Sequence, residues 1–242
     1  MPLTIGNTLL GALSAADRAA VLVQSQAFDF RTGHVFCEAG DWPTHVTFPD
    51  SGVISTVALM ADGRSVEVMM IGQEGATHPL AMDAASCCYA RLVAQSTGSA
   101  HRIEIARLRA LADERPAIRD ALTAYAARLI SELEQSVACN ALHRADQRFA
   151  KWLLRCHDRV DGDTMNLTQE YLASMLGSQR TTVNEAAQQL QRQGAIRYSR
   201  GRILVQDRAA LAKAACECYG HHAHVLDQPV AYPRLRDAES TG

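Results

Sequence analysis

The 242-residue sequence predicts an α+β protein of two domains: a lobe of short strands, one long helix, then a helix-turn-helix with a hairpin behind it. Three observations predict this. Strand-like segments separated by turn residues fill the stretch from Phe28 to Ile105, apolar residues recur at helical spacing from Ile118 to Val137, and two capped amphipathic runs flank Gly177. The expected divisions are 1–107 for the strand domain with its N-terminal helices and 108–139 for the long helix. Residues 140–208 form the C-terminal domain, and 209–242 a partly disordered tail.

Residues 7–26 carry helical spacing, with Ser14 and Asp17 as a capping pair. The following segments (FDF, HVF, HVTF, GVISTVALM, SVEVMMI, ARLVAQ, AHRIEI) are broken by turns such as Thr32-Gly33 and Asp62-Gly63. Runs of this length and spacing predict a β-sandwich or roll, and Asp62-Gly63 predicts a hairpin. In the long helix, Ile118, Leu122, Tyr125, Leu129, Leu133 and Val137 follow one another at steps of three or four, giving one apolar stripe. Without a second long helix in the chain to cover it, the stripe is expected to pair with a copy of itself. A helix over 145–159 is expected to turn Phe149, Trp152, Leu153 and Cys156 inward and its Arg and Lys residues outward.

Composition narrows the function classes. Hydrophobic residues make up 48% of the chain and charged residues 21%, and no run approaches the ~20 apolar residues that span a bilayer. The first basic residue is Arg18, which makes the start a poor signal peptide, so a cytoplasmic location without membrane association is expected. The net charge of −2 divides unevenly into −5 over residues 1–139, +4 over 140–208 and −1 over the tail, so a polyanion suits the C-terminal domain. Seven scattered cysteines without a C-x-x-C pair imply neither a disulfide framework nor a zinc ribbon, and no C-x-x-C-H haem attachment occurs.

The stretch LTQEYLASMLGSQRTTVNEAAQQLQRQGAI (167–196) carries the functional signal. Thr168 is placed to cap the first helix, Glu170 suits its dipole, and Leu172, Met175 and Leu176 form its apolar side. Gly177 permits the turn, Ser178 is placed to cap the second helix, Val183, Ala187 and Leu190 form its inner edge, and Gly194 ends it. Arg180, Thr181, Asn184 and Gln188 then fall within roughly 100° of helical arc, with Glu185 at the rim. An arginine fork matches guanine O6 and N7, and Asn or Gln matches adenine N6 and N7, at about 1–3 kcal/mol of discrimination per good pair. IRYSRGRILV (196–205) reads as a hairpin whose Arg197, Arg200 and Arg202 neutralise phosphates, with the Ser178 hydroxyl as a further phosphate contact. The whole predicts a winged helix-turn-helix.

The order of strand domain, long helix and winged helix resembles the CRP/FNR family of bacterial transcription regulators. RTGHVFCEAGD looks like that family's first turn-and-strand motif, and residues 167–203 resemble its DNA-binding motif almost position for position. The resemblance, over roughly residues 8–208, implies an N-terminal cyclic-nucleotide-binding-like β-roll and a homodimer on a palindromic operator. It also implies RNA polymerase as a further partner and Ile118 to Val137 as the dimer helix. Two departures stand out: family members carry Glu where this chain has Thr181 and Arg where it has Glu185, which implies a different operator sequence.

Cyclic-nucleotide-binding members hold the phosphate with a Gly-Glu pair and an Arg followed by a hydroxyl residue. By resemblance Glu74 and Arg91 mark the effector pocket, but Leu92 replaces the hydroxyl and Glu132-Leu133 replaces the purine-contacting Thr-Ser pair. cAMP is therefore disfavoured, and the expected signal is something else. Arg91 is equally suited to an ion pair, with Glu74 as the suggested partner. His34, His78 and His101 as haem or metal ligands, Cys87-Cys88 as a redox pair and CECYGHHAH (216–224) as a metal cluster all lack a recognised spacing. No cofactor, metal site or catalytic residue is assigned, since no nucleophile–base pair or phosphate loop can be assembled. Glu185 on the groove face leaves one rival to DNA binding: a ligand- or redox-sensing module whose C-terminal domain contacts protein.

Overall fold

The computed structural model describes residues 6–83, 86–177 and 179–220. Helices α1 (Thr8–Gly11) and α2 (Ala15–Val23) precede seven strands: β1 (Gln26–Phe30), β2 (Val35–Cys37), β3 (His45–Pro49), β4 (Ile54–Leu59), β5 (Ser65–Ile71), β6 (Arg91–Ala94) and β7 (Gly98–Glu104). Then come α3 (Ile105–Glu114), α4 (Pro116–Leu142), α5 (Ala145–His157), β8 (Thr164–Asn166), α6 (Gln169–Leu176) and α7 (Arg180–Arg192). Strands β9 (Ile196–Ser199) and β10 (Arg202–Val205) and helix α8 (Arg208–Ala214) close the sequence of elements.

Each expected strand segment forms a strand, and together they make a roll of two antiparallel sheets ordered β1-β7-β3 and β2-β6-β4-β5. Gly63 has φ of +83° in the turn that joins β4 to β5, as Asp62-Gly63 predicts. Ser14 caps α2 by accepting from the Asp17 amide, and its hydroxyl donates back to the Asp17 carboxylate.

Helix α4 corrects the expectation of an uncovered stripe. Ile118, Leu122, Tyr125 and Leu129 are buried within the chain itself, in one core with Leu10, Val46, Phe48 and Leu108. The N-terminal helices, α3 and the roll supply the apolar cover that a second long helix would otherwise provide. Tyr125 lies so close over Gly75 that a Cβ there would sit 2.0 Å from its hydroxyl. Only the C-terminal half of the stripe stays exposed: Leu133 at 38% and Val137 at 70%, joined by Ile130 at 54%.

Helix α5 also departs from the sequence reading. Phe149, Trp152, Leu153 and Cys156 are buried as expected, but so are Lys151 and Arg155. Both cations face specific partners: Arg155 meets Glu132 of α4 at 2.8 Å, and the Lys151 ammonium donates to Cys139 Sγ at 3.2 Å. Just beyond α5, Arg159 pairs with Glu74 at 2.7 Å. Burial opposes the Glu74 charge, yet the Arg159 guanidinium overcomes it and holds that carboxyl below its ordinary value.

A third carboxylate joins the roll to the C-terminal domain. Glu67 of β5 accepts from Trp152 Nε1 at 2.7 Å and from the Ser55 hydroxyl at 2.5 Å. The same hydroxyl lies 3.4 Å from the Tyr171 hydroxyl of α6, and Ser65 of β5 meets Ser174 of α6. The polar seam thus runs from β4 and β5 into α5 and α6. Burial raises Glu67 from 4.5 to about 7, against the opposing hydrogen bonds of Ser55 and Trp152. A carboxyl raised in the folded state contributes stability that is complete below 4.5 and lost as pH rises through about 7. Glu67→Gln, which mimics the protonated acid, should leave the melting temperature nearly unchanged at about pH 5 and raise it at about pH 8. Thermal unfolding followed by circular dichroism at both pH values checks this; a difference independent of pH would contradict it.

Candidate nucleic-acid interface

The helix-turn-helix is built as its sequence dictates. Thr168 caps α6 by accepting from the Tyr171 amide at 3.2 Å, and Leu172 is buried. Gly177 ends α6 at φ of +56°, a conformation that costs a side-chain-bearing residue energy. Helix α7 has Gln179 at its N-cap position with no side-chain cap bond. Ser178, the expected cap and phosphate contact, lies outside the described residues, as do the side chains of Glu170 and Met175. Val183, Ala186, Ala187 and Leu190 bury the inner face of α7 in a core with Phe149, Leu153 and Ile203. Gly194, at φ of +72°, follows the helix as the sequence predicts.

The other face of α7 is the candidate reading surface. Arg180, Thr181, Glu185 and Gln188 are exposed there and Asn184 is half-buried. Beside it, β9 and β10 form the hairpin, with Arg200 and Gly201 at positive φ in a two-residue turn. Arg197, Arg200 and Arg202 are exposed, and Arg202 donates to Asn166 Oδ1 at 3.2 Å. Asn166 belongs to β8, which pairs with β10 to make the wing three-stranded. The sequence reading missed this strand because TMN is too short to show alternation. A face of guanidinium, hydroxyl and amide groups, followed by a hairpin with three exposed arginines, offers the donors that base edges and phosphates accept.

The expected effector pair does not assemble. Arg91 forms a bidentate pair with Glu38, both contacts at 2.7 Å, while Glu74 is held by Arg159. The suggested Arg91–Glu74 pair is thus replaced by two separate pairs, each with the carboxylate or guanidinium that packing brings nearest. Glu132, which was expected to replace a purine-contacting residue of the resembled family, is buried against Arg155.

The other titratable groups also find local partners. His101 Nδ1 lies 2.6 Å from Asp50, and His34 packs edge-on against Phe36 with ring centroids 4.8 Å apart. Cys87 is exposed, whereas Cys88 is buried with its sulfur 2.6 Å from Cys37 and 3.2 Å from His78 Nε2. The adjacent pair Cys87-Cys88 therefore does not act as a unit. Within CECYGHHAH, Cys216 and Cys218 are buried, and His221, His222 and His224 lie outside the described residues.

Comparison with known proteins accords with this architecture. Residues 147–214 match the family model of the Crp-like helix-turn-helix domain. The CRP-like cAMP-activated global transcriptional regulator of Mycobacterium tuberculosis is 26% identical over 204 residues, spanning 81% of this chain and 91% of that protein. The C-terminal part of the chain thus matches a Crp-like helix-turn-helix domain, and most of its length is similar to a CRP-like transcriptional regulator. The fold of this chain is shared by FixK2 from Bradyrhizobium japonicum, with a TM-score of 0.64 at 19% identity over 79% of this chain and 98% of that one. A CRP-family transcriptional regulator from Thermus thermophilus gives 0.66 at 19% identity over 78% and 96%. The c-di-GMP responsive regulator CLP of Xanthomonas campestris gives 0.65 at 16% identity over 80% and 100%. Among the described residues no helix is long and apolar enough to cross a membrane.

The turn of this family domain is tightly placed, since a Cβ on Gly177 would lie 3.1 Å from Val66 Cγ2 of the roll as well as demanding a left-handed residue. Gly177→Ala should destabilise the fold by about 1–2 kcal/mol, the usual left-handed penalty. Urea denaturation measures this, and an unchanged midpoint would contradict the turn geometry.

Proposed function

We propose that this regulator binds DNA sequence-specifically as a homodimer on a palindromic operator, with α7 reading bases and the wing arginines holding phosphates. The observation that carries the proposal is the two-sided character of α7. Val183, Ala186, Ala187 and Leu190 are buried while Arg180, Thr181, Glu185 and Gln188 are exposed, and Arg197 and Arg200 are exposed on the hairpin that follows. Asn184 completes the reading set, and Glu185 suits a cytosine N4 donor. Dimerisation is assigned to the exposed half of the α4 stripe: Ile130, Leu133 and Val137. Three apolar side chains on one exposed helical face fit a coiled seam with a second copy.

The relatives' signals, cAMP in the Mycobacterium tuberculosis protein and c-di-GMP in CLP, are not carried over. Arg91 and Arg159 already hold carboxylates, so a cyclic nucleotide phosphate would have to displace Glu38 or Glu74. A different signal acting through the roll fits these commitments. The exposed carboxylate of Glu185 favours the second reading, a protein surface rather than DNA as the partner of α7.

Selection from random double-stranded DNA separates the two. The proposal expects an enriched palindrome with half-sites about 10–10.5 bp apart and a complex of two chains per site by native mass spectrometry. Arg200→Asn, which keeps a residue tolerant of the left-handed turn, should weaken all DNA sequences alike and reduce the salt slope by about 1. Asn184→Ala should relax preference at one base position, and Leu133→Asp combined with Val137→Asp should give a monomer. Failure to enrich any motif, with the protein folded, would overturn the DNA reading.

A further inference from the structure

We propose that Cys139, His143, Cys216 and Cys218 form a closed, tetrahedral zinc-type metal site at the junction between α4 and α5. Cys139 lies in the last turn of α4 and His143 is its C-cap residue, four positions later, so both project from one face. Cys216 and Cys218 follow α8, and their C-x-C spacing brings both sulfurs to that face. The four ligand atoms all lie within 4.8 Å of one another, although Cys139 and Cys216 are 77 residues apart in sequence.

The distances match a coordination shell. Cys139 Sγ lies 3.6 Å from Cys216 Sγ, and Cys218 Sγ lies 3.6 Å from His143 Nδ1. Zinc bonds of about 2.3 Å to sulfur and about 2.0–2.1 Å to nitrogen place the corners of a tetrahedron roughly 3.5–3.8 Å apart. A sulfur–sulfur contact of 3.6 Å is too long for a disulfide of about 2.05 Å. A two-iron cluster would spread its ligands further than this group is spread.

Two further residues complete the chemistry. His143 presents Nδ1 to the cysteines while Nε2 lies 3.0 Å from the Glu217 carboxylate. That is the carboxylate–imidazole arrangement that fixes the tautomer and orientation of a metal-bound histidine. Three thiolates and a neutral imidazole around a divalent ion leave one negative charge, and the buried ammonium of Lys151, 3.2 Å from Cys139 Sγ, neutralises it. Without a metal, an ammonium beside three thiols in a nearly dry site gains little, and three buried cysteines fill space that Val or Leu would fill better. The three cysteines are all buried, which leaves no open position for a substrate and makes the ion structural. It would tie the segment after α8 to the end of α4, clamping the C-terminal domain where α4 meets α5. The cluster of Cys37, His78 and Cys88 offers only three ligands. This proposal does not depend on DNA binding.

The test uses full-length protein purified under reducing conditions. Elemental analysis should find one zinc per chain, and metal-free protein titrated with Co2+ should show the visible bands of a tetrahedral, thiolate-rich site. Cys216→Ser and His143→Ala should each lower Co2+ affinity at least a hundredfold, while Cys37→Ser and Cys87→Ser should bind normally. His143→Cys should retain the metal, and Glu217→Gln should weaken it about tenfold. If Cys216→Ser fails to fold, the Co2+ spectrum of the wild-type chain still decides. An octahedral spectrum, no zinc or Co2+ binding, an iron–sulfur spectrum, a Cys139–Cys216 disulfide by mass, or metal lost in Cys37→Ser but kept in Cys216→Ser would each overturn the proposal.

Discussion

The carboxylate of Glu67 is the constraint on which the arrangement of the two domains depends. It lies on a strand of the roll, yet its hydrogen bonds go to Trp152 of α5 and to Ser55, whose hydroxyl also reaches toward Tyr171 of α6. Arg155 in the last turn of α5 and Arg159 just beyond it extend the seam by binding Glu132 and Glu74. Buried polar groups are tolerated only when partnered, so each partner fixes the position of the next. The helix-turn-helix is therefore held on the roll by directional bonds, with Val66 packed under its turn.

This placement gives a physical route from the roll to α7. Helix α6 touches β5 directly, and α7 follows α6 through a turn with no spare room at Gly177. A displacement of β4 or β5 would alter the seat of α6 and so the orientation of α7. Arg91 and Glu74 are committed to separate ion pairs, whereas the seam touches both the roll and α6.

Much of this was legible in sequence. Turn residues and β-rich runs located every strand of the roll, because each strand is a short run bounded by turn residues; of the pairings only the β4–β5 hairpin is local. The Thr168 cap and the glycines located α6 and α7, and their outward residues followed from helical geometry. Long-range pairing was not legible. Periodicity shows that Ile118 to Leu129 form an apolar stripe but not what covers it, and the roll covers it. Arg155 and Lys151 looked like surface cations because their partners, Glu132 and Cys139, come from another helix. Arg91 found Glu38 instead of Glu74, and Cys139 and His143 showed no relation to Cys216 until folding brought them together. Only the C-x-C pair itself was a sequence signal for that cluster.

Native-state amide hydrogen exchange tests the seam most directly. If the polar bonds of Glu67, Trp152 and Tyr171 hold the two domains as one unit, amides of α6, α5 and β5 should open together with a common free energy. The account predicts that Trp152→Phe, which deletes the indole donor, lowers that common value in all three elements. Exchange of α6 through a separate, lower-energy opening, unaffected by Trp152→Phe, would show that the winged helix is not held by the roll and would contradict the account.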